Sequence, residues 1–319
     1  MTDANLSIHS ILCPTDFSEF AASAFAESVR LARWFGAKVT VVHVMPFAVP
    51  IAGDMGYVPL PAETGHVARR AKLEELQRFV DATEHTAVPI GLVCRQGDPC
   101  DEIRAAAQET GADLVVMGTH GRSGFNRLVL GSVTEALLNR PPAPVLTVNR
   151  ELPRRKGLFR TVLCATDVSE WSAGTIAVAL AIADEGAKRL MVLNVIEHRV
   201  ESSGGAVEQA ALAALHELIP DDARGSYRID ERVTFGESDR EILAVAAEEA
   251  ADLIVLGTRG SGALGHLFGS TVRRVVRDAT CPVMVVPAGH VWPATGLVRK
   301  GDTERIVAFR QTQVGSSKI

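Results

Sequence analysis

No segment of this chain carries enough lysine and arginine to mark a nucleic-acid binder, and the formal net charge is −5 with a pI near 6.0. Aromatic residues are scarce, at 5% of 319 residues, which argues against base-stacking platforms. No apolar run approaches the roughly 20 residues that a membrane-spanning helix needs; the longest lies around Ile176 to Ala183. The opening residues "MTDANLSIHS" lack the basic and apolar regions of a secretory signal. Cysteine is limited to five residues, an odd number, with no CxxC pair. Cys13 and Cys164 sit in apolar runs and read as small core residues. Cys94 and Cys100 flank a strand end, where a redox role is the alternative reading. The expectation is reduced thiols in a cytoplasmic protein. Also missing are HExxH, the Walker pattern GxxxxGK[ST], GxSxG and zinc-ligand spacing. No acid–base pair stands out, so no dedicated catalytic centre is expected.

What is present describes a soluble globular protein with a substantial core: 47% hydrophobic and 22% charged residues, in a chain long enough for two domains. The chain also repeats itself. "SILCPTDFSEF" from Ser10 matches "TVLCATDVSEW" from Thr161, "ADLVVMGTHG" from Ala112 matches "ADLIVLGTRG" from Ala251, and "APVLTVN" from Ala143 matches "CPVMVVP" from Cys281. Order is kept while spacing drifts, as expected for a duplicated domain with different loop lengths. Most of the drift falls after the second strand, where "PFAVPIAGDMGYVPLPAETG" in the first half faces only "HRVESSGG" in the second.

Each half alternates strand and helix. The first predicts strands near 9–14, 38–45, 89–95, 113–118 and 144–149, and helices near 18–35, 66–83, 98–110 and 132–140. The second predicts strands near 160–166, 188–196, 226–235, 252–257 and 282–287, and helices near 170–186, 205–219, 238–250 and 270–278. Cap and first-turn signals support the helix starts at Asp16-Phe17-Ser18-Glu19, Gly97-Asp98-Pro99 and Gly236-Glu237-Ser238. Such alternation implies a parallel sheet covered on both faces by right-handed crossovers. The domains are expected at 1–150 and 160–289, joined by a linker at 151–159 that contains "PRRKGLF". A tail at 290–319 lies outside the repeat; its "RIVAFRQTQV" reads either as an edge strand or as a frayed end.

One junction stands out. "LVVMGTHGRSGFNRLVLGSVTEALL" runs from a buried-type strand through Gly118, Gly121, Gly124 and Gly131 into a helix, with Ser132 as the expected N-cap and Glu135 three residues on. A tight βα connection needs only about two to six residues. This one is longer and ends at a helix N-terminus, where unpaired N–H groups favour an anion.

With Pro14-Thr15-Asp16 at the end of the first strand, "VVHVM" at the second, and the spacing Gly118, Gly121, nine residues, Gly131-Ser132, the halves resemble the universal stress protein family, and the resemblance covers nearly the whole chain. It implies two tandem Rossmann-like α/β domains of the adenine nucleotide alpha hydrolase type. Each would have a five-stranded parallel sheet of order 3-2-1-4-5 with helices on both faces, and the ligand at the switch point. It implies ATP as ligand, with or without Mg. Val44 would meet the adenine edge, Asp16 and Pro14 the nucleoside, and Met117-Gly118 the ribose and phosphates. Gly121, Gly131, Ser132 and Val133 would offer N–H groups to the triphosphate. The corresponding residues of the second half are Asp167, Val195, Leu256, Gly257, Gly260, Gly269, Ser270 and Thr271. That half departs from the pattern, with Ala165 in place of proline and only eight residues between Gly260 and Gly269. Its site is altered, weaker or empty.

Other residues have plain structural readings. Asp16 and Asp167 also fit Asx turns. His43 reads as a packed histidine rather than a metal ligand, and His120, Arg122 and Arg127 read equally as phosphate contacts or as solvated loop residues. The function implied is an ATP-binding, stress-response regulatory protein in which any hydrolysis is slow. The rival is a dimerisation and partner-binding module of the same fold that holds no nucleotide. A nucleotide-activating ligase is disfavoured because no SGGxDS-type loop follows the first strand. The fifth strands, at Val145 to Val148 and Val283 to Val286, are apolar edges that invite pairing. An intramolecular pseudo-dimer of the two halves is expected, and the same surface helices allow a homodimer of tandem chains. The protein partner is not legible.

Overall fold

The computed structural model describes residues 8–46, 48–50, 57–59, 62–121, 129–149, 158–169, 171–197, 204–225, 228–258 and 269–290. They fall into two compact units that divide between Arg155 and Lys156.

The first unit runs β1 (Ser10–Pro14), α1 (Glu19–Phe35), β2 (Lys38–Met45), β3 (Ala48–Pro50), β4 (Tyr57–Pro59), α2 (Ala62–Asp81), β5 (Ile90–Gln96), α3 (Pro99–Thr110), β6 (Leu114–Gly118), α4 (Ser132–Asn139) and β7 (Val145–Val148). Its main sheet is parallel, in the order β5-β2-β1-β6-β7. This is the 3-2-1-4-5 order. The second unit runs β8 (Thr161–Ala165), α5 (Ser172–Asp184), β9 (Arg189–Ile196), α6 (Gly204–Leu218), a 3-10 turn at Asp221–Gly225, β10 (Arg228–Phe235), α7 (Ser238–Glu248), β11 (Leu253–Gly257), α8 (Ser270–Asp278) and β12 (Val283–Val286). Its sheet, β10-β9-β8-β11-β12, is parallel and repeats the order.

The sequence explains these elements locally. β1 and β6 are buried at every residue, as central strands covered on both faces must be. On α1, Ala21, Ala24, Phe25, Ser28, Val29 and Ala32 make one buried stripe at helical spacing. Ser18 caps that helix through the Ala21 amide, and Gly36 closes it in the left-handed region at φ 67°. Asp98 caps α3 through the Cys100 and Asp101 amides, with Pro99 in the first turn. The third expected cap differs. Glu237 occupies the N-cap of α7 without a side-chain bond, and the Ser238 hydroxyl turns to Glu197.

The aspartate of each "ADL" repeat has a structural purpose. The Asp113 carboxylate accepts from the His9 and Ser10 amides, and Asp252 accepts from the Arg160 and Thr161 amides. Each ties the foot of the fourth strand in its unit to the foot of the first.

Right-handed crossovers place α1 and α2 on one face and α3 and α4 on the other. Phe25 of α1 meets Phe79 of α2 with ring centroids 5.7 Å apart, while Arg104 of α3 donates to the Ala136 and Arg140 carbonyls at the end of α4. In the second unit an Arg274–Asp239 ion pair joins α8 to α7. The chain therefore reverses direction across the sheet at β1/β6 and at β8/β11, the switch points beside which open α/β sheets hold their ligands.

Two local features differ from the sequence expectation. The long connection after β2 holds a small antiparallel ladder, β3 with β4, and α2 starts at Ala62 rather than near 66. The expected linker core and the tail after His290 lie outside the described residues.

Candidate functional site

A cavity of about 340 Å³ lies at the β1/β6 switch point of the first unit. All nine site residues expected in that half line it: Pro14, Asp16, Val44, Met117, Gly118, Gly121, Gly131, Ser132 and Val133. It is also lined by Thr15, Ala21, Val42, Pro99, Ile103 and Thr134, which the sequence reading passed over. Thr15 had a signal in the repeated Thr-Asp pair. Pro99 and Ile103 had none, because α3 reaches the cavity only through the chain's reversal over the sheet.

The β1 end is a double turn. The Phe17 amide donates to Thr15 Oγ1 at 3.0 Å, and the Ser18 amide donates to Asp16 Oδ1 at 3.0 Å. Phe17 is thereby held at φ 66°, a left-handed conformation rare for a bulky residue. The second unit repeats the turn: Val168 donates to Thr166 Oγ1, Ser169 donates to Asp167 Oδ1, and Val168 has φ 58°. Both aspartates therefore form Asx turns. In Asp16 this leaves Oδ2 facing Gly121, 2.8 Å from where a Cβ on that glycine would stand.

The glycines divide by cause. A Cβ at Gly118 would lie 2.8 Å from Phe20 Cβ and 2.9 Å from the Phe20 carbonyl carbon, so this glycine lets α1 close onto β6. Gly131 has an ordinary φ of −59° and is the true N-cap of α4, which corrects the expected cap at Ser132. Its amide donates to the Thr119 carbonyl at 2.9 Å, a loop-closing bond, and the helix starts at Ser132, one residue earlier than expected. The Gly131 N–H is therefore committed within the loop, contrary to the expectation that it faces a phosphate. Ser132 and Val133 instead occupy the first turn, and no side chain caps α4. The Thr134 hydroxyl anchors that turn to the Gly118 carbonyl at 2.9 Å. A helix start of this kind presents its first amides and the positive end of its dipole to the cavity. The Arg122, Gly124 and Arg127 positions lie outside the described residues.

In the second unit Asp167, Val195, Leu256, Gly257, Gly269, Ser270 and Thr271 stand at corresponding places, and Gly260 lies outside the described residues. α8 likewise begins after a glycine N-cap without a side-chain bond. The β8 end is more crowded with hydroxyls. Ser172, which replaces the cavity-lining Ala21, accepts from Thr166 Oγ1 at 2.6 Å and donates to Asp167 Oδ1 at 3.4 Å.

Among the described residues no cluster of three or more His, Cys, Asp or Glu could hold a metal ion, and no helix is long and apolar enough to cross a membrane. All five cysteines are buried and none is disulfide-bonded. Burial pushes the Cys13 and Cys164 thiols up to about 12.

The chain and its fold find counterparts among known proteins. A universal stress protein of Mycolicibacterium smegmatis is 27% identical over 296 residues, covering 87% of this chain and 97% of its own. One from Thermus aquaticus is 38% identical over 136 residues, covering 40% of this chain and 99% of its own. The crystal structure of a universal stress protein from Archaeoglobus fulgidus superposes with a TM-score of 0.66 at 24% identity, over 90% of this chain and 99% of that one. The profile of the universal stress protein family matches twice, at residues 7–149 and 158–287, and the chain is a tandem member of that family.

Proposed function

We propose that the first half binds an adenine nucleotide, ATP by the family pattern, and that the protein acts as a nucleotide-dependent regulator in a stress response. The observation that carries this reading is the cavity at the switch point, with a helix start that no side chain caps at one end and apolar walls from Val42, Met117 and Ile103 at the other. Its volume lies within the usual range for small-ligand sites. The residues fit the group. Ser132 and Val133 would offer donors to phosphate oxygens, Val44 would flank the base, and Asp16 would face the nucleoside. Bound Mg would be held chiefly by the phosphates. We assign no dedicated catalytic centre and place the protein in the cytoplasm.

Two observations favour a second reading, a partner-binding module without nucleotide. Gly118 is needed for the close approach of α1, and the Gly131 amide is spent inside the loop. Both motif glycines therefore have reasons that belong to the fold. The deciding experiment is to purify the protein without added nucleotide, denature it, identify any released ligand by chromatography, and titrate the stripped protein with ATP. Released adenine nucleotide, or a saturable binding isotherm, supports the first reading. Empty protein with no binding at millimolar ATP supports the second.

From the apolar edge strands "APVLTVN" and "CPVMVVP" we also propose that the halves satisfy one another as an intramolecular pseudo-dimer. About ten linker residues span roughly 33 Å when extended, enough to cross a domain face.

A further inference from the structure

We propose that His43 and Phe17 form a two-point clamp that sets the Asp16 carboxylate in the cavity and ties it to helix α2. The proposal rests on the nucleotide reading for its functional consequence but not for its geometry.

Asp16 is flanked on both sides by contacts with one imidazole, a hydrogen bond before it and ring packing after it. Before it, the Thr15 carbonyl lies 2.8 Å from His43 Nδ1. A carbonyl only accepts, so Nδ1 carries the proton and the tautomer is set. After it, the Phe17 ring packs on the same imidazole with centroids 4.5 Å apart. The Thr15 amide is also fixed, donating to the Val42 carbonyl at 2.8 Å. The peptide between these anchors has little freedom.

The clamp opposes a real cost. Phe17 sits at φ 66°, where a side chain with a Cβ is disfavoured. Its ring offsets that cost by packing edge-on to Phe79 of α2, at 5.8 Å, with the Lys72 ammonium 5.3 Å from the ring centroid. Phe79 in turn meets Phe25 of α1. The turn that aims Asp16 is thereby braced by α2, the helix that follows the long connection after β2, and Phe79 does not line the cavity. The second half keeps one point of the clamp. Asn194 Nδ2 donates to the Thr166 carbonyl at 2.8 Å, and Val168 replaces the ring. His43 and Phe17 are thus positioning residues, and His43→Asn is a substitution the molecule itself already contains.

The test uses the full chain with two readouts. The first, exchange of the Ser18 amide by NMR without nucleotide, reports the turn directly, since that amide is bonded to Asp16. The second is ATP affinity by calorimetry. Expected is at least tenfold faster Ser18 exchange and at least tenfold weaker ATP binding in His43→Ala and Phe17→Ala, with native far-UV spectra. His43→Asn, which retains the carbonyl bond, should stay within about threefold of wild type. Phe17→Gly should fall between wild type and Phe17→Ala, because glycine accepts the left-handed conformation. Phe79→Ala should weaken ATP binding although it touches no cavity wall. Altered Ser18 exchange in a chain that binds no ATP would uphold the clamp and sink the nucleotide reading. Wild-type Ser18 exchange in both alanine variants, or equal losses in His43→Asn and His43→Ala, would overturn the clamp.

Discussion

At the scale of single residues, the same amino acid acts for different reasons at neighbouring positions. Gly118 and Gly131 belong to one spacing motif, yet backbone presses closer on Gly118, where a Cβ would lie 2.9 Å from the Phe20 carbonyl carbon, than on Gly131, where the Thr119 carbonyl would be 3.3 Å away. Gly118→Ala would force a Cβ into Phe20 and should cost about 1–3 kcal/mol, the usual range for overpacking, read as a lower denaturation midpoint with unchanged slope. Gly131→Val adds a Cβ whose nearest neighbour would be the Thr119 carbonyl at 3.3 Å, at an ordinary φ. It should fold, with ATP binding at least tenfold weaker, about 1.4 kcal/mol. Native affinity in folded Gly131→Val would remove the loop from the site. The buried thiols make a third expectation. Cys13 and Cys164 are shifted upward by desolvation and should resist alkylation at pH 8 in native protein, then react fully in urea. The sign for stability follows: the unfolded thiols lose protons first, so these residues withdraw stability as pH rises from about 9 toward 12. Native-state alkylation at both positions would show that the strands open.

Among the elements, the duplicated aspartates of the "ADL" motif illustrate what a repeat preserves. Each is placed just before the fourth strand, and each accepts two amides from the start of the first. Losing either carboxylate strands a pair of strand-end donors. Asp113→Ala and Asp252→Ala should therefore each destabilise their own half by about 1–3 kcal/mol. Differential scanning calorimetry should show the affected transition moving alone, and movement of both transitions in either variant would contradict independent unfolding of the units. Helix starts follow a different logic. Ser18 and Asp98 cap α1 and α3 with side chains, whereas α4 and α8 begin after glycine with none. α5 and α7 also begin without a side-chain cap bond, so an open start is not confined to the helices that follow the glycine loops.

On the scale of the whole molecule, duplication produced two halves with one topology and different residues at matching positions. Ser172 replaces Ala21 and brings a hydroxyl to Asp167, Ala165 replaces Pro14, and the second glycine loop is one residue shorter. One nucleotide should bind tightly per chain, with Asp16→Ala removing that event and Asp167→Ala sparing it. Two equivalent tight sites in a calorimetric titration would show that these differences are inconsequential. The proposed pseudo-dimer is tested by expressing Met1 to Arg150 alone. An uncovered edge strand should make the fragment self-associate, and Val145→Lys with Leu146→Glu should restore a monomer. A monomeric wild-type fragment at high micromolar concentration would count against the pairing.

The sequence alone determined the duplication, the alternation of strand and helix, the sheet order through its family resemblance, and the nine residues that converge on the first cavity. Those properties are local or motif-borne: buried strands read as apolar runs, and Asp98-Pro99 and Gly36 punctuate helices within a few residues. Tertiary structure decided the rest. Gly131's amide is taken by Thr119, Gly118 is claimed by Phe20, and α3 supplies Pro99 and Ile103 to a cavity formed at the ends of other elements. His43, which the sequence marks only as a packed histidine, reaches 28 residues back to the Thr15 carbonyl. No periodicity encodes such pairs, because they arise where crossovers bring strand ends together, and there the partner is chosen by space rather than by position along the chain.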